Sequence, residues 1–231
     1  SKDNGFSWDE YTMGEDVGTP YPRKNSEVAT DTQSNAYHIW TGGDEGVYMS
    51  RSIDSGESWE QTSIRISPIE VISTTFPQVD AGDPGRIAIT YLGSENSSEL
   101  GEPDIDGENW TGNAHYATTN VSYHLYITLS LNALDPSPTF YTYRVTDDPV
   151  QIGSICLNSG DCRDIGGSNR NLLDFNDLHI DREGRVFVAF ADGCTDSCAS
   201  DSNSTAEDSR SRRGSVSVSY THLTLPTTLV V

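Results

Sequence analysis

Two octapeptides of the pattern Ser-x-Asp-x-Gly-x-x-Trp constrain the fold more than any other feature of this chain. Their pattern residues are Ser1, Asp3, Gly5 and Trp8 in the first copy and Ser52, Asp54, Gly56 and Trp59 in the second. An Asp in such a segment accepts hydrogen bonds from N–H groups of its own turn, and Gly takes a backbone conformation that other residues disfavour. The Trp ring packs under the turn. The pattern predicts a tight hairpin with a structural role, which we call a clasp.

Short apolar segments separated by turn residues surround the clasps and predict strands. After the first clasp a strand is expected at 6–12, and around the second clasp strands are expected at 26–30, 36–41, 46–51 and 58–66. Further strands are predicted at 76–80, 86–91, 123–129, 140–145, 175–180, 185–190 and 214–217. A degenerate clasp without Trp has Asn132 at the Asp position. Because helical periodicity is absent, we expect an all-β chain of repeated antiparallel units with almost no helix.

The clasps and the strand repeat resemble the Asp-box, or BNR repeat, of sialidase-like β-propellers. In that family the Asp-box joins the third and fourth strands of each blade. The resemblance implies a partial β-propeller of about three four-stranded antiparallel blades, from a ring that has six blades when complete. A chain of 231 residues is short for a full ring at roughly 40–50 residues per blade.

On this interpretation residues 1–217 are an incomplete propeller. Its parts are the end of one blade at 1–12, a blade at 20–66, a blade at 73–146 with an insertion at 93–119, and an incomplete blade at 172–217. Residues 218–231 resemble a sequencing adapter translated as protein, so we expect this tail to be non-native. A native strand ending at Pro226 is the alternative.

The formal net charge of −21 argues against some partners. A surface this acidic repels phosphate backbones, so we expect no nucleic-acid binding. No apolar run approaches the ~20 residues that a membrane-spanning helix needs. The charge suits solubility in a salty environment. No cofactor is required by this interpretation, although calcium could bind at Asp104, Asp106 and Glu108, or at Asp192, Asp196 and Asp201, with a solvated acidic loop as the alternative.

The four cysteines fall into two local pairs, Cys156/Cys162 and Cys194/Cys198. No His lies near either pair, so two short-loop disulfides in an exported protein are favoured over a zinc site, although crossed pairing stays open. Four Asn-x-Ser/Thr sequons, at Asn96, Asn109, Asn120 and Asn203, lie in predicted surface loops, and in a chain this rich in Ser, Thr and Asn each is a weak signal. We therefore expect an extracellular or cell-surface location.

The family resemblance also implies a place for a site. In such propellers the long segments 11–25, 93–119, 147–172 and 192–213 would project on the face opposite the clasps. Sialidases clamp a sugar carboxylate with three arginines, and use an Asp as acid/base and a Tyr/Glu pair as nucleophile. By position, Arg23 and Arg170 would be clamp residues, with Asp174 and Asp177 as carboxylates, although such residues also commonly pair or cap turns.

The functional expectation is a secreted glycoside hydrolase of exo-sialidase type that acts on extracellular glycans and is inactive as this fragment. The family's Arg-Ile-Pro motif does not occur in the chain. The alternative is a non-catalytic propeller that binds a glycan or a cell-surface glycoprotein. A structural repeat segment of a larger exported protein is the third hypothesis.

Overall fold

The computed structural model describes residues 1, 3–13, 26–42, 46–95, 114, 121–155, 172, 176–204 and 215–220. Within these ranges the chain forms antiparallel sheets and a single four-residue helix, α1 (Ser197–Ser200). The prediction of an all-β fold is therefore confirmed.

The first sheet is a four-stranded meander. Its strands pair in chain order: β1 (Ser26–Thr30), β2 (Ala36–Thr41), β3 (Val47–Ser52) and β4 (Ile64–Arg65). Tyr37 and Ile39 of β2 and Val47 and Met49 of β3 are fully buried, whereas His38, Trp40 and Tyr48 between them are partly exposed, as expected for a sheet with two different faces. The second clasp lies between β3 and β4, and thus joins the third and fourth strands of this sheet.

The second sheet repeats this order and adds a short fifth strand. Its strands are β5 (Ser73–Ala81), β6 (Ile87–Ser94), β7 (Ser122–Ser130) and β8 (Tyr141–Arg144), and β9 (Gln151–Ile152) also pairs with β7. A register shift between Thr75 and Gln78 bulges β5, where Phe76 has a positive φ of 53°. The degenerate clasp around Asn132 again lies between the third and fourth strands.

The third sheet contains three strands within the described residues. They are β10 (Asp177–Ile180), β11 (Val186–Ala191) and β12 (Ser215–Tyr220), paired in that order. Strand β12 continues past the boundary predicted at residue 217, and Tyr220 pairs with Val186.

The second sheet packs between the other two. Along β6, Ile87, Ile89 and Tyr91 point to a core shared with the first sheet, whereas Ala88 and Leu92 point to a core shared with the third. The first core includes Tyr37, Ile39, Val47 and Met49, and the second includes Leu125, Leu178, Val186, Val188 and Phe190. Each buried Ile or Leu contributes about 1.5–3 kcal/mol. Side chains on both faces of β6 therefore hold the three sheets together.

The two clasps have the same hydrogen bonds. In the second, Ser52 Oγ accepts from Gly56 N at 2.9 Å, Asp54 Oδ1 accepts from Ser58 N at 2.8 Å, and Trp59 Nε1 donates to the Gly56 carbonyl at 3.2 Å. The first repeats these bonds at 2.8, 2.8 and 3.2 Å with Ser1, Asp3, Gly5, Ser7 and Trp8. Both glycines have a positive φ, of 89° for Gly5 and 87° for Gly56, which a side chain would disfavour.

The hydrogen bonds on Asp54 perturb its acidity. Ser58 donates through both its hydroxyl and its backbone N–H, and these bonds lower the pKa of Asp54 to about 2. The corresponding bonds from Ser7 lower the pKa of Asp3 to about 2 as well. Each turn therefore depends on an ionised carboxylate.

The degenerate clasp keeps part of this pattern. Asn132 Oδ1 accepts from Thr139 N at 2.9 Å, and Asn132 N donates to Ser130 Oγ at 3.3 Å. An amide oxygen thus replaces the carboxylate as acceptor, and the turn forms without a Trp beneath it.

Arg51 connects the first sheet to the degenerate clasp. Its guanidinium binds both carboxylate oxygens of Glu60, at 2.7 and 2.5 Å. It also donates to the carbonyls of Ala133 and Asp135. Because Arg51 is only 6% exposed, this arrangement fixes the clasp ends of neighbouring sheets relative to each other.

Two strands predicted from sequence differ from the structure. Residues 6–12 form no strand, and of the segment 58–66 only Ile64 and Arg65 pair with β3. A strand persists only where a neighbouring backbone supplies hydrogen bonds. The described residues supply no strand partner for 6–12, and the second clasp occupies much of the connection from β3 to β4.

Candidate functional site: a cleft opposite the clasps

The strand directions place a cleft at the end of the sheets opposite the clasps. Strand β8 runs away from the degenerate clasp and ends before Asp147, and β11 runs away from its turn at Asp181 and ends before Asp192. The connections after these two strands form the walls of a cleft with a volume of about 960 Å³.

The first wall is residues 145–152, which backbone hydrogen bonds attach to β7. Val145 N donates to the Leu125 carbonyl and Val150 N to the Tyr123 carbonyl, both at 2.8 Å. His124 Nδ1 lies 3.1 Å from the Thr146 carbonyl. Burial, together with the nearby Arg144, lowers the pKa of His124. The neutral imidazole of His124 on β7 therefore contacts this wall at the Thr146 carbonyl.

The second wall is residues 192–204, which a disulfide and a short helix shape. Cys194 and Cys198 form a disulfide, as predicted. Within α1, Ser200 N donates to the Asp196 carbonyl and Asp201 N to the Ser197 carbonyl, both at 3.1 Å. The wall ends in a turn in which Asp201 Oδ1 accepts from Asn203 N at 2.9 Å.

The two walls meet at the base of the cleft. Gly193 N donates to the Val150 carbonyl at 2.8 Å, and Ile152 packs against Cys194 and Cys198 in a small buried cluster. The sheets thus position the first wall, and the first wall positions the second.

The cleft lining is polar and acidic. It contains the carboxylates of Asp147, Asp148 and Asp201, four Ser hydroxyls and the amide of Asn203. Pro149, Ile152, Cys198 and Ala199 supply less polar surface, and the described lining residues include no Arg or Lys. Such a lining suits a ligand that offers hydroxyl or cationic hydrogen-bond donors.

Asp192 is a half-buried carboxyl beside this cleft. Its Oδ1 accepts from Cys194 N at 2.9 Å. Burial raises the pKa of Asp192, and the charge of Asp148 raises it further, although the bond from Cys194 opposes both effects. Two carboxyls in different environments are a combination that acid–base chemistry uses.

The predicted site residues are only partly within the described ranges. Asp177 is exposed at the first position of β10, and its carboxylate accepts from Leu178 N at 2.9 Å. Arg23, Arg170 and Asp174 lie outside the described residues. The grouping of Arg23, Arg170 and Asp174 with Asp177 therefore stays a prediction.

Other predictions also fall outside the described residues, namely Cys156, Cys162, Asp104, Asp106 and Glu108. The part of the chain that is described contains no group of three His, Cys, Asp or Glu side chains able to hold a metal ion. Within the same part, no helix has the length and apolar character needed to cross a bilayer.

Sequence reasoning placed the loops of the cleft on one face but did not select Asp147 and Asp148. The available signal was that 147–172 and 192–213 were both long connections predicted on the face opposite the clasps. Which of these loops touch depends on the contact between Gly193 and Val150, which no local pattern encodes.

Comparison with solved structures shows a weak structural likeness. No family model matches the chain, and no curated protein matches it. A solved structure similar to it is the intramolecular trans-sialidase from Ruminococcus gnavus in complex with oseltamivir carboxylate, at 13% identity and a TM-score of 0.42. The superposition covers 91% of this chain and 34% of that one, so this chain spans about a third of its length.

Proposed function

We propose that the chain is part of an exported β-propeller of sialidase-like type that binds extracellular glycans at the cleft opposite the clasps. The cleft between residues 145–152 and 192–204 is the observation that carries this proposal. Successive antiparallel sheets support the propeller, because clasps recur between the third and fourth strands of the first two sheets. The first strands also lie close together, with β5 touching both β1 and β10.

The cleft chemistry supports a glycan as ligand. Carboxylates accept hydrogen bonds from sugar hydroxyls, and the Ser hydroxyls can both donate and accept. Because the described lining carries three carboxylates and no basic residue, we expect neutral or amino sugars to bind better than anionic ones.

Binding can be tested with a glycan array followed by calorimetry on the leading sugars. We expect Asp148→Asn and Asp201→Asn to weaken binding at least tenfold, which corresponds to about 1.4 kcal/mol. Asp83→Asn is the matched control, because Asp83 is an exposed carboxylate in a turn at the clasp end. A folded protein that binds no glycan, or equal losses in all three variants, would contradict the proposal.

Glycoside hydrolysis is the second candidate function, and the pair Asp148/Asp192 favours it. Hydrolysis by two carboxyls needs one that holds a proton and one that is ionised, and burial of Asp192 beside Asp148 shifts the pKa of Asp192 in the required direction. In this proposal Asp192 protonates the leaving oxygen. Asp192→Asn should then abolish turnover of a fluorogenic glycoside while leaving sugar binding within a factor of about two.

Exo-sialidase activity is a separate proposal, because its anionic substrate does not suit the acidic cleft, and it needs Arg23 and Arg170 as carboxylate clamps with Asp174 and Asp177 nearby. Turnover of a fluorogenic sialoside by a longer reading frame that completes the ring tests it. Turnover by residues 1–217 alone would contradict the expectation that this piece is inactive. Calcium binding at Asp104, Asp106 and Glu108 is also a proposal, and chelation should then lower the thermal stability.

A further inference from the structure

One exposed turn of the cleft carries a sequence motif that the proposed function does not use. Residues 203–205 read Asn-Ser-Thr, the acceptor sequon for N-linked glycosylation. For Thr205 only the residue type is used, because it lies outside the described residues. Of the four sequon asparagines, Asn203 alone is within the described ranges.

The local geometry leaves Asn203 open to modification. Asn203 is exposed in a turn closed by Ser204 N, which donates to the Asp201 carbonyl at 3.0 Å. Its Nδ2 donates to Asp201 Oδ1 at 3.1 Å, and this bond is exposed to water. Solvent can therefore replace the bond at little cost when Nδ2 reacts.

The neighbouring disulfide agrees with the compartment that such a modification requires. The bond between Cys194 and Cys198 belongs to the same wall as Asn203. Disulfides of this kind persist in the oxidising lumen of the secretory pathway, where oligosaccharyl transfer takes place. The motif and the covalent bond both agree with export through that lumen.

We propose that Asn203 is an N-glycosylation acceptor whose glycan stands at the rim of the cleft. In the reaction a bond forms between Asn203 Nδ2 and the anomeric carbon of a lipid-linked oligosaccharide. The bond from that carbon to the lipid pyrophosphate breaks, the pyrophosphate leaves with the electron pair, and Nδ2 loses one proton. This inference rests on the proposed export, and it adds that the bound sugar narrows access to the carboxylates of the cleft.

The test is translation of the chain behind a signal peptide in the presence of microsomes. Protease protection identifies the translocated chains, and peptide N-glycosidase followed by mass spectrometry reports conversion of Asn203 to Asp. We expect conversion in the unaltered chain and in Ser204→Ala, which keeps the Asn-x-Thr sequon. We expect none in Thr205→Ala, which removes only the sequon hydroxyl residue.

A translocated, disulfide-bonded chain in which Asn203 is unmodified would overturn the inference, whether or not Asn96, Asn109 or Asn120 is occupied. Failure of the proposed function can be distinguished from failure of this inference, because glycan binding can be measured on unglycosylated protein from a bacterial periplasm. If that protein binds glycans and Asn203 stays unmodified in microsomes, only the inference fails. If Asn203 is modified, enzymatic removal of its glycan should strengthen ligand binding by a measurable factor.

Discussion

Replacement of Arg51 by Met should destabilise the protein, because Arg51 is a buried cation that joins two sheets at the clasp end. The side chain of Arg51 is 7% exposed, and its guanidinium binds Glu60 and the carbonyls of Ala133 and Asp135. Met keeps most of the apolar stem and removes all of these donors. The variant therefore tests the hydrogen bonds with little change in packing.

The expected loss of unfolding free energy follows from the groups that lose Arg51 as a hydrogen-bond donor. Two carbonyls left without Arg51 cost about 1 kcal/mol each, since their hydrogen bonds to Arg51 are buried for Ala133 and partly buried for Asp135. The Glu60 side chain is 43% exposed, so its loss of a cation costs about 1 kcal/mol after solvent screening. The sum is about 3 kcal/mol, at the lower end of the range for breaking a buried ion pair.

Urea unfolding followed by fluorescence measures this change, because Trp40 and Trp59 lie in or beside the first sheet. The midpoint should fall at an unchanged slope with urea concentration. Arg86→Met is the matched control: Arg86 is 50% exposed and lies 3.7 Å from Asp83, so its loss should cost less than about 0.5 kcal/mol.

A double-mutant cycle with Glu60→Gln separates the ion pair from the carbonyl contacts. We expect a coupling of about 1 kcal/mol between Arg51 and Glu60, which leaves most of the loss to Ala133 and Asp135. If Arg51→Met costs no more than Arg86→Met, Arg51 does not connect the two sheets as described, and the reasoning is refuted.

Three further predictions concern pH. The folded-state pKa of Asp54 is lowered to about 2, so its contribution to stability is present above the unfolded pKa of about 3.9 and is lost as pH falls toward 2. In a plot of melting temperature against pH, Asp54→Asn should therefore reduce the fall of the curve at acid pH. An unchanged fall would contradict this prediction. Burial lowers the pKa of His38, whose Nδ1 is buried without a hydrogen-bond partner among the described residues, so stability should fall as pH drops below about 6.5. His38→Phe should reduce that loss in calorimetric scans between pH 7 and 5, whereas an equal loss in both proteins would exclude His38 as a cause. The folded-state pKa of Asp192 is raised, so its contribution to stability is present below the unfolded pKa and is lost as pH rises through the folded value. The Asp192→Asn variant should therefore melt at a higher temperature than the unaltered protein at pH 7, and this difference should vanish below about pH 4. A lower melting temperature at pH 7 would show that the bond to Cys194 outweighs burial.

The first sheet was predictable because its signals are local. Strands β1 and β2 begin and end where the sequence predicted, at Ser26–Thr30 and Ala36–Thr41, with a turn between them. In that turn Asp31 Oδ1 accepts from Gln33 N and Asn35 N at 2.9 and 3.0 Å. These bonds join residues close in sequence, so residue type alone indicates them.

The candidate site was less predictable because it depends on contacts between distant segments. Neither β9 nor α1 has a strong periodic signal, and both are short. The wall that contains Asp148 meets the wall that contains Asp192 through the hydrogen bond from Gly193 to Val150 and through packing of the second sheet against the third. Sequence patterns indicate which loops are long, but not which loops touch.

The turn at Asn132 has a consequence for finding related chains. It keeps two hydrogen bonds of the clasp although both the acid and the indole are missing. Searches that require Asp and Trp would therefore pass over units of this kind, and a count of motif matches would underestimate the number of repeats. A profile that rewards any side-chain oxygen acceptor at this position, flanked by the expected strand pair, would recover them.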